Sequence, residues 1–231
     1  MSTSAGQHDG AVELQVFTRV PAVGKVKTRL IPALGAEGAM RLHRALAERT
    51  LGAAAAIPGV RRSLWFDGAA DDPWLAAMQL RDPSLVLHPQ SGADLGERMY
   101  RALLAGCAGG SRALLFGTDC PGLDADCIDA AVCALAGGAD LVLGPVEDGG
   151  YVLIGLRNPI RELFTGVPWS TSAVLGTTLD IAARLRLAVV LLPERWDVDV
   201  PADVARLAAL GLPEVEALGF GGTQLNAEEA R

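Results

Sequence analysis

Three cations, Lys25, Lys27 and Arg29, crowd five residues of an otherwise acidic chain. They lie in Pro21-Ala22-Val23-Gly24-Lys25-Val26-Lys27-Thr28-Arg29-Leu30, just after an apolar run in which Leu14, Val16 and Val20 bracket the end of a strand. A glycine lets backbone approach a ligand closely. Arginine grips phosphate oxygens as a two-pronged fork and lysine as a point charge. Pro21, Gly24, Lys27 and Arg29 are therefore candidates for binding the phosphates of a nucleotide. The segment lacks the second glycine and the Gly-Lys-Ser/Thr order of a P-loop.

Carboxylates supply the complementary chemistry. Asp119, within Gly117-Thr118-Asp119-Cys120-Pro121, ends an apolar strand. Mg2+ takes one or two carboxylates and completes its shell with phosphate and water oxygens, so an aspartate here can hold a cation against a diphosphate. Asp119 could instead cap the next helix, but Pro121 and Asp124 lie nearer that start. Asp197 and Asp199 flank Val198, so on an extended segment both point to one side. Asp199 is the expected second metal ligand, although it is also placed to cap a helix at Pro201.

Four further places are ambiguous at the level of residues. Asp148-Gly149-Gly150 is either a plain turn or bare backbone against which a sugar could lie, with Asp148 touching the sugar or acting as base to an acceptor hydroxyl. Gln90-Ser91-Gly92-Ala93-Asp94-Leu95-Gly96 fits a loop and helix start, or a reader of a base edge through the Gln90 amide and backbone at Gly92. Arg98, one turn into that helix, reaches phosphate or stays solvated. Trp169 lines an acceptor pocket or simply packs, while Ser170 and Thr171 read as helix caps. His43 and His88 read as ordinary helix and strand-end residues, and no Ser-His-Asp or Cys-His arrangement emerges.

The elements that must position these residues follow from periodicity. Strands are expected at Val12 to Phe17, Val60 to Phe66, Leu85 to His88, Ala113 to Phe116, Asp140 to Leu143, Tyr151 to Leu156 and Ala188 to Leu191. Helices are expected at 36–55, 94–105, from Asp124 or Ala125 to 135, at 171–184 and at 201–210. Short apolar strands alternating with helices imply an α/β fold, with a mostly parallel central sheet covered on both faces. Ligands of such sheets sit beyond the carboxyl ends of the strands, where all of these polar loops fall. Residues 1–10 are expected to be a flexible arm and 213–231 an irregular tail, flanking one domain over 11–212.

With 231 residues, half of them apolar, the chain can bury one sizeable core. Its net charge of −7 argues against general nucleic-acid or membrane-surface binding, which needs a basic face. Cys107, Cys120, Cys127 and Cys133 form no C-x-x-C pair and read as buried thiols in a reducing compartment. The N-terminus lacks the basic-then-apolar order of a signal peptide, and no apolar run reaches membrane-spanning length. A cytoplasmic location is expected, without nucleic-acid or membrane partners. Oligomeric state is left open, a homodimer included.

Taken in order, the segments 17–30, Asp94-Leu95-Gly96-Glu97-Arg98-Met99, Gly117 to Pro121, Gly144 to Tyr151, Trp169-Ser170-Thr171 and Asp197-Val198-Asp199-Val200-Pro201-Ala202-Asp203 resemble the DUF2064 proteins. These are also called selenodomain-associated transferase 1 or arsenosugar-biosynthesis-type glycosyltransferases. The resemblance implies a GT-A-like fold of the nucleotide-diphospho-sugar transferases. It further implies a nucleotide sugar or NTP and a small-molecule acceptor as ligands, with Mg2+ or Mn2+ as cofactor. On this reading Lys27 and Asp148 are catalytic, and Pro21, Gly24, Lys27, Arg29, Gln90, Gly92 and Arg98 bind the nucleotide. Asp148, Gly149, Gly150 and Trp169 bind substrate, and Asp119 and Asp199 hold the metal. The chain is more distantly similar to 2-phospho-lactate guanylyltransferase and molybdenum-cofactor cytidylyltransferase, which makes nucleotidyl transfer with pyrophosphate release the alternative. It departs from sugar nucleotidyltransferases in lacking their G-x-G-T-R loop with a following Pro-Lys.

Overall fold

A computed structural model describes residues 12–219; the expected arm at 1–10 and the end of the expected tail lie outside them. Seven strands form one sheet: β1 (Val12–Arg19), β2 (Arg61–Asp67), β3 (Val86–Pro89), β4 (Arg112–Phe116), β5 (Leu141–Pro145), β6 (Tyr151–Leu156) and β7 (Val189–Leu191). Their order is β3-β2-β1-β4-β6-β5-β7. Only β6 runs antiparallel to its neighbours, pairing Phe116 with Leu153 and Leu143 with Ile154. The chain winds outward from β1 to β3 and then returns to place β4 on the other side of β1. The carboxyl ends of β1 and β4 thus frame a crevice, the usual binding place in open α/β sheets.

Helices cover both faces. Leu14, Val16, Leu64, Leu114 and Phe116 point to one side, packing with residues of α1 (Ile31–Ala55), α2 (Pro73–Arg81) and α4 (Ala125–Ala136). Ala113, Leu115, Leu143 and Ile154 point to the other, against α3 (Leu95–Gly106) and α5 (Val174–Arg184). The alternation along β1 and β4 is the two-residue period of a strand with both faces buried. A third, smaller core joins α1 to α6 (Pro201–Ala208) and the short α7 (Pro213–Glu216) through Leu42, Leu46, Val198, Val204, Leu207 and Val215.

Most expected elements are present, and three differ. The first helical run opens at Ile31, but Gly35 (φ 70°, ψ 165°) breaks it, so the regular helix starts at Ala36 as the periodicity implied. α2 was not anticipated, although its signal is Asp72-Pro73: the Asp72 side chain accepts from Trp74 N–H, and Pro73 takes the first helical turn. Residues from Pro213 onward are not simply irregular, because α7 buries Val215 to 3% exposure against α1. Of the four cysteines, Cys107, Cys120 and Cys127 are buried and Cys133 is exposed, all as free thiols. Among the described residues, no helix is long and apolar enough to cross a membrane.

Candidate active site

The loop after β1 is built around a turn closed by Lys25 N–H to Ala22 C=O at 3.1 Å, with Gly24 at φ 73°. That angle lies in the left-handed region, which glycine enters without a Cβ clash. Val26 and Leu30 are buried and pin the loop. Lys25 and Arg29 between and beyond them are exposed, and among the described residues neither has an ion-pair partner. They are the cations this loop offers to a ligand.

Lys27 has a different place. Its Nζ donates to Val198 C=O at 2.5 Å and lies 2.7 Å from Asp119 Oδ1 and 3.1 Å from Asp199 Oδ1. Of its three donors, two hydrogen-bond Val198 C=O and Asp199 Oδ1, and Asp119 Oδ1 lies within ion-pair distance. In this structure, without a nucleotide, the Lys27 ammonium lies against protein acceptors beneath the carboxylates. Burial by itself would lower its pKa, but Asp119 and Asp199 outweigh burial and hold the ammonium above the ordinary lysine value.

Asp119 and Asp199 come from loops 80 positions apart in the chain, joined by one backbone hydrogen bond, Val198 N–H to Asp119 C=O at 2.9 Å. Val198 is fully buried in the third core, which turns its two neighbours toward the crevice. Neither aspartate is occupied as a helix cap. Asp124 caps α4 by accepting from Cys127 N–H. Asp203 accepts from the N–H groups of Asp199 and Val200 ahead of α6. Both carboxylates remain nearly half exposed, at 43% and 44%.

Asp197, the residue sequence reasoning set second, sits deeper. Its Oδ1 is buried with no hydrogen-bond partner. Burial first, then the charges of Asp119 and Asp199, push its pKa up to about 7, partly opposed by Lys27. A buried, unpartnered carboxylate oxygen beside two exposed carboxylates fits a site built for a cation. Among the described residues, no group of three or more acidic, histidine or cysteine side chains forms a complete protein cage for a metal. Two carboxylates facing an open crevice suit Mg2+ or Mn2+, whose shells are completed by phosphate and water. The residues present therefore fit the group the family implies.

Beneath the site lies a network sequence reasoning missed. Thr18 Oγ1 is 3.0 Å from Thr118 Oγ1, tying the tip of β1 to the residue before Asp119. His43, on α1, reaches Arg19 C=O with Nε2 at 2.9 Å and is buried, which holds its pKa below the ordinary histidine value. His43 is thus neutral and structural, in keeping with its reading as an ordinary helix residue.

The remaining candidates line the same sheet edge in varied roles. Gln90 Nε2 donates to Thr18 C=O and Trp65 C=O at 3.1 and 3.0 Å, so its amide N–H groups tie strand ends together. A Cβ on Gly92 would stand 2.8 Å from Arg98 N, so that loop lies hard against α3. Arg98 pairs with Asp67 at 3.2 Å rather than standing free. Asp148 Oδ1 accepts from Gly150 N–H at 2.8 Å in an exposed turn. A Cβ on Gly149 would come 2.3 Å from Ser172 C=O, fixing the turn onto the start of α5. Trp169 packs: its ring is edge-on to Tyr151 and stacked on Phe164, and its indole fills the space where a Cβ on Gly96 would be. Thr171 Oγ1 accepts from Ala173 N–H just outside α5, a cap-like contact.

Residues 50–171, just over half of the chain, match the family described as an uncharacterized protein conserved in bacteria, DUF2064. A solved structure from Desulfovibrio desulfuricans G20, provisionally assigned as a nucleotide-diphospho-sugar transferase, is 33% identical with a TM-score of 0.75, covering 82% of each chain. The 4-diphosphocytidyl-2C-methyl-D-erythritol synthase of Anaerococcus prevotii DSM 20548 is 11% identical with a TM-score of 0.58, over 91% of this chain and 100% of that one. A cytidylyltransferase of Leptospira borgpetersenii serovar Hardjo-bovis is 14% identical with a TM-score of 0.56, over 91% and 92%. The last two establish a shared fold. No curated protein matches the chain in sequence.

Proposed function

The chain belongs to the DUF2064 family, and from that premise we propose that it is a metal-dependent transferase acting on a nucleotide-diphospho-sugar, with a small molecule as acceptor. The observation that carries this reading is the pairing of Asp119 and Asp199 across one buried lysine, beside a loop with two exposed cations that have no ion-pair partner among the described residues. Arg29 and Lys25 would bind the donor's phosphates from one side. Asp119 and Asp199 would hold Mg2+ or Mn2+ on the other, with Lys27 and the Thr18–Thr118 contact keeping them in register. A divalent cation so held offsets the negative charge that develops on a leaving diphosphate. Gly92 and the Gln90 carbonyl oxygen would border the base, and Gly149 and Gly150 the sugar. Asp148 is exposed, keeps an oxygen beyond its turn contact, and would accept the proton of the acceptor hydroxyl.

Likeness to the Desulfovibrio protein, above 30% identity over four-fifths of both chains, supports the donor class. Nucleotidyl transfer would use the same residues, because exposed Lys25 and Arg29 suit a triphosphate as well as a diphosphate. The test is a binding panel of nucleotides and nucleotide sugars, with and without Mg2+ and Mn2+, on the wild type and Asp119→Asn. The expected result is tight, metal-dependent binding of one nucleotide sugar, lost in Asp119→Asn. Unchanged metal-dependent binding in that variant would remove Asp119 from the metal site. Pyrophosphate release from an NTP mixed with phosphorylated acceptors would favour the nucleotidyl reading.

A further inference from the structure

Lys27 is the most constrained charged residue of the site. Its side chain is 4% exposed, whereas the carboxylates it bridges are nearly half exposed. Its backbone lies at φ 47°, ψ 42°, a left-handed conformation rare for a residue with a side chain. Such strain persists only where the surroundings over-determine it, and it gathers at binding sites. Here it delivers one ammonium to the point between two carboxylates from separate loops. Among the described residues, no other cation pairs with either.

We infer that Lys27 is a surrogate cation, holding Asp119 and Asp199 at the metal position until a divalent ion arriving with the nucleotide's phosphates displaces it. The inference rests on the metal reading above. Mg2+ binds oxygens at about 2.0–2.1 Å, so an ion on the same two oxygens would lie within a few ångströms of the ammonium. Like charges that close in a partly buried site repel strongly, and the two cations compete. The displaced ammonium needs a new anion, because a buried, unpaired charge is costly. Phosphate oxygens entering beside Arg29 provide one, which links the metal's entry to the nucleotide's. Free metal then binds weakly, while the carboxylates stay preorganised and do not repel one another apart.

The test measures Mn2+ alone, by titration calorimetry on the full chain. Lys27→Met should bind Mn2+ at least tenfold more tightly than the wild type, and Lys27→Arg should bind as weakly as the wild type. Equal or weaker binding by Lys27→Met overturns the inference, as does no binding at all. A purely structural role for Lys27 would not tighten metal binding. Should Lys27→Met unfold in metal-free buffer, recovery of a cooperative melt with millimolar Mn2+ supports the inference, and failure to recover overturns it. Adding Asp119→Asn to Lys27→Met should abolish the tightened binding. If it does not, the ion sits elsewhere and the metal reading itself fails, separately from the role of Lys27.

Discussion

Arg29 and Lys27 lie two positions apart in one loop yet face different tasks. Arg29 is exposed and has no ion-pair partner among the described residues, so removing it costs the folded protein little, and a charge-assisted contact to phosphate is worth about 1.5–3 kcal/mol. Arg29→Ala should therefore weaken donor binding roughly 10- to 100-fold. Its melting temperature and its affinity for acceptor should stay at the wild-type level. Calorimetry with the donor and a thermal melt check this, and a defect confined to the acceptor would move Arg29 out of the phosphate site. At this scale the sequence announced residue types well. Asp119 stood at the end of an apolar strand with Asp124 better placed to cap, whereas Asp199 read also as a cap at Pro201, a place that Asp203 takes in the structure. What it could not announce was that Lys27 would turn inward, because a left-handed lysine is set by tertiary contacts to Val198 and two distant carboxylates. The burial of Asp197 was hidden for the same reason, since alternation gives the side a residue faces but not its depth.

Strands and long helices were legible because apolar residues recur with the right period between turn residues. The short α2 and α7 were not, since four to nine residues carry too little periodicity, and only Asp72-Pro73 and Pro213 mark their starts. Elements also explain why Gly149 lies where it does. Gly149 at φ 86° presses the Asp148 turn onto the start of α5, where a Cβ would meet Ser172 C=O at 2.3 Å. Gly149→Ala should destabilise the fold by about 2–3 kcal/mol, combining left-handed strain with a backbone clash. It should also raise the acceptor KM, because Asp148 shifts with the turn. Denaturant unfolding and steady-state kinetics measure the two effects. Stability unchanged within about 0.5 kcal/mol would mean the turn relaxes freely.

Across the whole molecule, two covers of helices and one winding order bring loops far apart in sequence to a single edge. The sequence made this architecture legible through the alternation of strands and helices, whereas the place of β6 as the lone antiparallel strand needed the three-dimensional pairing. Remote ion pairs brace this frame. Arg62 meets Asp82 at 2.7 Å and joins β2 to the connection before β3. The Arg62 hydrogen bond and, beyond it, contacts from Ser84 lower the Asp82 pKa to about 2 against an opposing burial effect. A depressed carboxylate stabilises the fold above its unfolded pKa of about 3.8 and loses that contribution as pH falls toward 2. Asp82→Asn should therefore cost about 1–2 kcal/mol at pH 5–7, after allowance for solvent screening, with the gap closing near pH 2. Urea unfolding across that range measures it, and a gap independent of pH would assign the loss to packing.

The third core also sets how short the protein can be made. Arg49, on α1, donates to Pro121 C=O, two residues beyond Asp119, and pairs with Glu214 of α7 at 2.7 Å. A chain cut after residue 212, where periodicity alone would end the domain, would lose that second anchor and the buried Val215. Those designing a minimal fragment for crystallography or screening should therefore place the boundary beyond residue 219. A shorter fragment would come out of expression with a loosened aspartate loop, and its poor ligand affinity would report the cut rather than the chemistry.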